Sequence, residues 1–255
     1  IMQKTKLSSI IAGTMNWGSW DKNLSTSEMA NTIHVCVESN ITTFDHAAIY
    51  GDYTTETDFG KAFKSSKIER KKIQLISKCG MIKPAPNSTQ VKQYESSKES
   101  MIKSVDASLK NLQTDYLDVL LIHRPNPLMQ VDEVAEAVSQ LKKEGKILDF
   151  GVSNFTASQT ELLRSKVEVN YNQIQFSATH FDAMIDGSLD YMQVHGIQPM
   201  AWNPLGTVFR EDTRQTRDLK KLLARLVEKY EVGSDMILLA WILKHPANII
   251  PLAGT

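Results

Sequence analysis

The sequence predicts an α/β fold of the (β/α)8 type: a single domain in which eight parallel strands close into a barrel, with the working site at their C-terminal ends. Three observations predict it. Eight short apolar runs of strand length alternate with segments of helical period, and such alternation implies parallel pairing through right-handed crossovers. The chain has 255 residues, the size of one such barrel, and no low-complexity linker divides it. No Gly-x-Gly-x-x-Gly follows the first apolar run, which counts against a dinucleotide-binding open sheet.

Taken in order, Leu7 to Ala12 reads as the first strand. Ser25-Thr26-Ser27-Glu28 is a capping box, and Met29, Ile33, Cys36 and Val37 form one face of the helix it opens. Strand Ile41–Asp45 is followed by a short helix carrying Phe59, Ala62 and Phe63, then by strand Ile73–Lys78. Met101, Val105, Leu109 and Leu112 mark a longer helix before strand Leu117–Ile122. Val131, Val134, Val138 and Leu141 mark the next, which Gly145 stops as a C-terminal cap. Strand Ile147–Val152, a helix opened by Thr156 and Gln159, and strand Val169–Ile174 continue the pattern. A helix with Ile185, Leu189 and Met192 ends at Gly196 ahead of strand Ile197–Trp202. Two helices follow, one on Leu219, Leu222, Leu223, Leu226 and Val227, the other burying Ile237, Leu238, Trp241 and Ile242; Asn248–Leu252 is the last strand.

Successive strands end on chemically useful side chains. Asp45 ends the second, Lys78 the third and His123 the fourth, while Tyr50 lies in the turn after Asp45. Strand side chains alternate faces, so Asp45, Lys78 and His123 can all point inward at the C-terminal mouth. Asp45 beside Lys78 keeps the amine charged, and a cationic Lys78 near Tyr50 is expected to lower the phenol from its usual pKa of about 10. A phenol so tuned acts as a general acid, and His123 can donate a hydrogen bond to the same substrate oxygen. Each residue alone has an ordinary reading as a turn former, a half-buried ring, a solvated strand end or a loop histidine. All four in register on adjacent strands favour a site. His46, one residue past Asp45, should face outward by alternation and pack.

Composition narrows the function classes. Lys+Arg and Asp+Glu both number 29, so the net charge is zero and nothing favours a nucleic acid partner. No run of 18 uncharged apolar residues exists, so no membrane span is expected. The two cysteines, Cys36 and Cys79, make no disulfide framework, and the expected setting is a reducing cytoplasm. The histidines fit no metal-ligand spacing and no metal is expected. Oligomeric state leaves no mark in the sequence.

Phe44-Asp45-His46-Ala47-Ala48-Ile49-Tyr50-Gly51, Ser77-Lys78, Leu121-Ile122-His123-Arg124-Pro125 and Gly151-Val152-Ser153-Asn154-Phe155 resemble the signatures of the aldo-keto reductases, in order and spacing, over residues 1–255. The chain is most similar to a bacterial, poorly characterised branch of that family. The resemblance implies a catalytic tetrad: Tyr50 as proton donor, Lys78 and Asp45 as its tuning pair, His123 orienting the carbonyl. It further implies a small-molecule carbonyl substrate and NADP(H), used in preference to NAD(H). Ser153, Asn154 and Gln173 would hold the nicotinamide carboxamide, whose donors and acceptor they can match. Trp202 would stack on the nicotinamide, with Asn203 and Leu205 beside it on the same loop and Trp17 in the substrate pocket. Ser153 and Asn154 as helix caps, and Trp202 as core packing, are the plainer readings. Thr207-Val208-Phe209 departs from the small-residue run common in the family around the diphosphate. The family continues beyond Gly254-Thr255, so these two are expected to open a cofactor loop whose C-terminal remainder, with the adenosine and 2′-phosphate contacts, is missing. Two other functions compete: an aldolase-like barrel with Lys78 as Schiff-base nucleophile, and a non-catalytic barrel that senses a nicotinamide cofactor or binds a partner.

Overall fold

In the computed structural model, which describes residues 4–84 and 91–254, eight strands close into a parallel barrel. Its strands are β1 (Ile11–Gly13), β2 (Thr43–Asp45), β3 (Gln74–Cys79), β6 (Leu117–Ile122), β7 (Ile147–Ser153), β8 (Tyr171–Gln175), β9 (Gln198–Trp202) and β10 (Ile250–Gly254). Two further strands, β4 (Met81–Ile82) and β5 (Gln93–Tyr94), form an antiparallel hairpin outside the barrel. Around the barrel run β1, β10, β9, β8, β7, β6, β3 and β2, and β2 closes on β1 with Gly13 opposite Asp45. The helices are α1 (Thr26–Glu38), α2 (Thr55–Ser66), α3 (Lys98–Leu112), α4 (Val131–Lys143), α5 (Ala157–Arg164), α6 (Ser188–Val194), α7 (Arg214–Tyr230) and α8 (Ser234–Leu243).

Strand alternation sorts the side chains into two cores. Ile11, Ile76, Val119, Leu121, Tyr171, Met200 and Leu252 fill the barrel interior. Their neighbours Phe44, Leu75, Leu120, Ile122, Phe150 and Val152 point outward and pack with Met29, Ile33, Phe59, Met101, Val105, Val134, Val138 and Leu141 of the helices. The capping boxes form as the sequence predicts: Ser25 with Glu28 opens α1, and Thr156 with Gln159 opens α5. Gly145, at φ +70°, follows α4 in the left-handed conformation its role requires.

Several expectations need correction. The first strand shrinks to Ile11–Gly13, because Ser8 and Thr43 pair through backbone N–H to hydroxyl bonds (2.9 and 3.1 Å) in place of a regular ladder. The residues before β1 instead close the barrel floor, with Thr5 N–H donating to Asp149 Oδ2 (3.2 Å) and Tyr171 Oη donating to Thr5 O (2.7 Å). Ile185 belongs to no helix face; it precedes α6 and is exposed. Of the apolar faces expected on α7 and α8, only Leu223, Leu238 and Ile242 are buried. Trp241 is 40% exposed and lies flat on Phe176 at 5.4 Å.

Candidate active site

Lys78 organises the barrel mouth. Its side chain is fully buried, and its three ammonium hydrogens each find an acceptor: Asp45 Oδ2 at 2.5 Å, the His46 carbonyl at 2.7 Å and Tyr50 Oη at 3.1 Å. Register explains the meeting. Asp45 lies opposite Ile76, so Lys78 two residues on, facing the same way, extends past the end of β2. The chain then turns through Gly51, at φ +58°, which returns Tyr50 over the amine; a Cβ there would meet the Thr55 hydroxyl at 2.4 Å. His123 stands just beyond β6 with its ring edge-on to Tyr50, centroids 5.9 Å apart. The sequence-predicted quartet is therefore one cluster.

The charges are set by burial as much as by partners. For Lys78, burial works against the ammonium, but the charges and hydrogen bonds of Asp45 and Tyr50 outweigh it and raise the pKa above the usual lysine value. The tyrosine overturns the expectation drawn from sequence. Burial is the largest influence on Tyr50 and pushes its pKa up, against the lowering effect of Lys78, so the phenol is held protonated. His123 is driven well below its ordinary value, first by burial and then by the charges of Lys78, Arg124 and Lys92, and is neutral. Its Nδ1 is buried with no hydrogen-bond partner.

On the opposite side of the mouth, Gln173 donates from Nε2 to Asp45 Oδ1 (2.8 Å), so both carboxylate oxygens are engaged. Ser153 Oγ donates to the Gln173 carbonyl (2.9 Å) and accepts from Asn154 Nδ2 (2.8 Å). Neither residue caps a helix, since Thr156 takes that role for α5. Asn154, left-handed at φ +62°, accepts from Trp202 Nε1 (2.9 Å) and so fixes the indole, half-buried at the end of β9. This donor and acceptor set fits an amide-bearing ligand: among the described residues no hydrogen bond reaches the Gln173 side-chain oxygen.

Asn203, also left-handed, binds Arg210 through Oδ1 (2.8 Å), and Leu205 packs toward Val208, Leu223 and Leu238. Gly254 ends β10 opposite Gly13, and Thr255 lies outside the described residues. Trp17 is not at the mouth. It is fully buried between barrel and helices, with ring centroids 6.1 Å from Phe44 and 6.2 Å from Phe59, because the turn after β1 aims it at the outward face of β2. The tryptophan of this turn that reaches the site is Trp20, edge-on to Tyr50 at 6.0 Å and held by Asp52 (3.1 Å).

Two features escape a sequence reading. Thr14 and the outward-facing His46 brace Asp45 from behind, and Arg124 lies over the Trp202 ring at 5.6 Å. The adjacency of His46 to Asp45 and of Arg124 to His123 was the available signal. Among the described residues no group of His, Cys, Asp and Glu could hold a metal ion, and no helix is long and apolar enough to cross a membrane.

The profile of the Aldo/keto reductase family matches residues 9–255. The chain belongs to that family. It is 40% identical over 262 residues to the uncharacterized oxidoreductase YcsN of Bacillus subtilis, covering 100% of this chain and 87% of that one. It is 39% identical over 244 residues to the oxidoreductase YdhF of Escherichia coli (94% and 81% covered). With a 6-dehydroglucose reductase of Agrobacterium fabrum it shares 36% identity over 261 residues (100% and 86% covered). The crystal structure of a thermostable aldo-keto reductase in complex with the inhibitor epalrestat superposes with a TM-score of 0.80 at 26% identity, covering 100% of this chain and 90% of that one. Membership makes this chain an oxidoreductase of the aldo/keto reductase type, acting on small carbonyl compounds.

Proposed function

We propose that this protein reduces an aldehyde or ketone to the alcohol at the expense of NADPH, with Tyr50 as the proton donor. The observation that carries the reading is the Lys78 ammonium, 3.1 Å from Tyr50 Oη and paired with Asp45 at 2.5 Å. Burial keeps the phenol protonated, which is the form that donates; once the proton has gone to the carbonyl oxygen, the adjacent cation stabilises the phenolate left behind. Asp45 keeps Lys78 charged through the cycle. His123, neutral, donates its one N–H to the same oxygen and orients the carbonyl over the donor. The reduced nicotinamide, when bound, supplies the hydride to the carbonyl carbon. Gln173, Asn154 and Ser153 would hold its carboxamide, Trp202 would meet its ring, and Asn203, Leu205 and Gly254 would serve the remainder of the cofactor. The family's use of NAD(P)H supports the cofactor class; the preference for NADPH over NADH, and a cytoplasmic setting, extend the reading.

Lys78 as a Schiff-base nucleophile is disfavoured, because its neighbours hold the amine protonated. Of the alternative, a non-catalytic barrel that senses a nicotinamide cofactor or binds a partner, the partner-binding form has one supporting observation: a putative voltage-gated potassium channel subunit beta of Schizosaccharomyces pombe is 26% identical over 252 residues.

The test is Tyr50→Phe, assayed for NADPH-dependent reduction of an aldehyde panel alongside fluorescence titration with NADPH and NADH. Loss of turnover by about a hundredfold or more with cofactor binding retained supports the reading. Unchanged turnover overturns the role of Tyr50. A wild-type protein that binds neither nucleotide overturns the function.

A further inference from the structure

Arg124 is a cation at the mouth for which the reduction chemistry has no use. It directly follows His123, is half-buried, and sets its guanidinium 5.6 Å from the centre of the Trp202 ring. Among the described residues, nothing accepts a hydrogen bond from it and no carboxylate pairs with it. The other cations around it are engaged: Lys78 with Asp45, Lys83 with Asp52, and Arg210 with the Asn203 side chain and the Gly206 carbonyl. Lys92 adds positive field that reaches His123, as Arg124 itself does. A guanidinium lying on an indole keeps its in-plane N–H fork free, and that fork matches a carboxylate edge with two parallel hydrogen bonds. Half-burial makes such a pair stronger than it would be in open solvent. The donor is thus positioned, unpartnered and one residue from the group that orients the carbonyl.

We propose that Arg124 binds a carboxylate on the substrate, so that the carbonyl reduced at this site is an aldehyde or ketone borne by an organic acid. The proposal rests on the reading in which Tyr50 and His123 engage the carbonyl oxygen. The cofactor's diphosphate is the other anion available to a cleft of this kind, and the experiment separates the two.

The experiment compares 4-carboxybenzaldehyde with its neutral isostere 4-carbamoylbenzaldehyde, each with NADPH, in the wild type and in Arg124→Gln. The wild type should favour the acid in kcat/KM by about tenfold or more, the scale of one charge-assisted hydrogen bond, and the variant should lose that ratio. Equal kcat/KM in the wild type, or a ratio unmoved in the variant, overturns the proposal. So does a variant that keeps the ratio but binds NADPH at least about tenfold more weakly, since the guanidinium then serves the cofactor phosphates. A titration with terephthalate, followed by tryptophan fluorescence, reads the anion site without turnover. If neither aldehyde is reduced, this titration still decides the site: binding that the variant loses supports it, and no binding to the wild type overturns it.

Discussion

His46 should make the barrel acid-sensitive by an amount that the structure specifies. Thr14 has one hydroxyl hydrogen, and it goes to the Asp45 carbonyl at 2.9 Å. Thr14 Oγ1 must therefore accept from His46 Nδ1, also at 2.9 Å, which assigns the neutral ring its proton on Nδ1. Nε2 is then a bare nitrogen, buried without a partner in a ring that packs 4.3 Å from Phe59. Burial, reinforced by the charge of Lys78, lowers the imidazole from 6.5 to about 3. A depressed folded-state pKa means that the unfolded chain takes the proton first as pH falls. Stability from this group is complete above about 6.5 and drains away toward 3, at about 1.4 kcal/mol per pH unit. Between pH 7 and pH 5 the loss is about 2 kcal/mol. His46→Asn keeps an amide donor for Thr14 and does not titrate. Urea unfolding of both proteins at the two pH values, read by tryptophan fluorescence, should show a pH-dependent loss about 2 kcal/mol smaller in the variant, whatever its absolute stability. His123, also depressed, contributes to both and cancels. An equal pH dependence would refute the buried, unpartnered Nε2 as the cause.

Two further outcomes follow from packing. A Cβ at Gly151 would meet the Tyr171 carbonyl oxygen at 2.6 Å and Leu121 Cδ2 at 2.9 Å, so Gly151→Ala should destabilise the barrel by about 1–3 kcal/mol. Thermal unfolding checks it, with a fall in Tm of several degrees expected and an unchanged Tm counting against the close approach. Burial pushes the Cys79 thiol up to about 12, so at neutral pH a thiol reagent should modify it no faster than the protein unfolds. Rapid labelling of the native protein at Cys79 would show that the strand end is open.

The parts of the fold legible in the sequence are those where burial repeats with a period. Met101, Val105, Leu109 and Leu112 are all buried on α3, and Asp45, Lys78 and His123 meet because the two-residue strand period aims them alike. Periodicity is silent where burial is not its cause. The hairpin of β4 and β5 has two-residue strands that are mostly exposed, and α7 fully buries only Leu223 of its four leucines and leaves Leu222 exposed despite its strong apolar stripe. At the site, residue types and order were readable but orientation in turns was not: Trp17 and Trp20 are three residues apart, and only the path of the turn decides which one reaches Tyr50. The direction of the Tyr50 shift was missed for a related reason. Sequence reveals the neighbouring cation, while the depth of burial that outweighs it is a property of the assembled barrel.

The bond from Gln173 to Asp45 joins β8 to β2, which stand four places apart in a ring of eight and therefore face each other across the barrel. It works as a tie-rod over the open mouth. The ladders between neighbouring strands brace the circumference; this bond spans a diameter, and it ends on the carboxylate that holds the lysine. Any widening of the mouth must lengthen that tie and loosen Asp45 before a single strand pair parts. The carboxylate that holds Lys78, and through it Tyr50, is thereby anchored to the far wall of the barrel, so a change in the width of the mouth is felt at Tyr50.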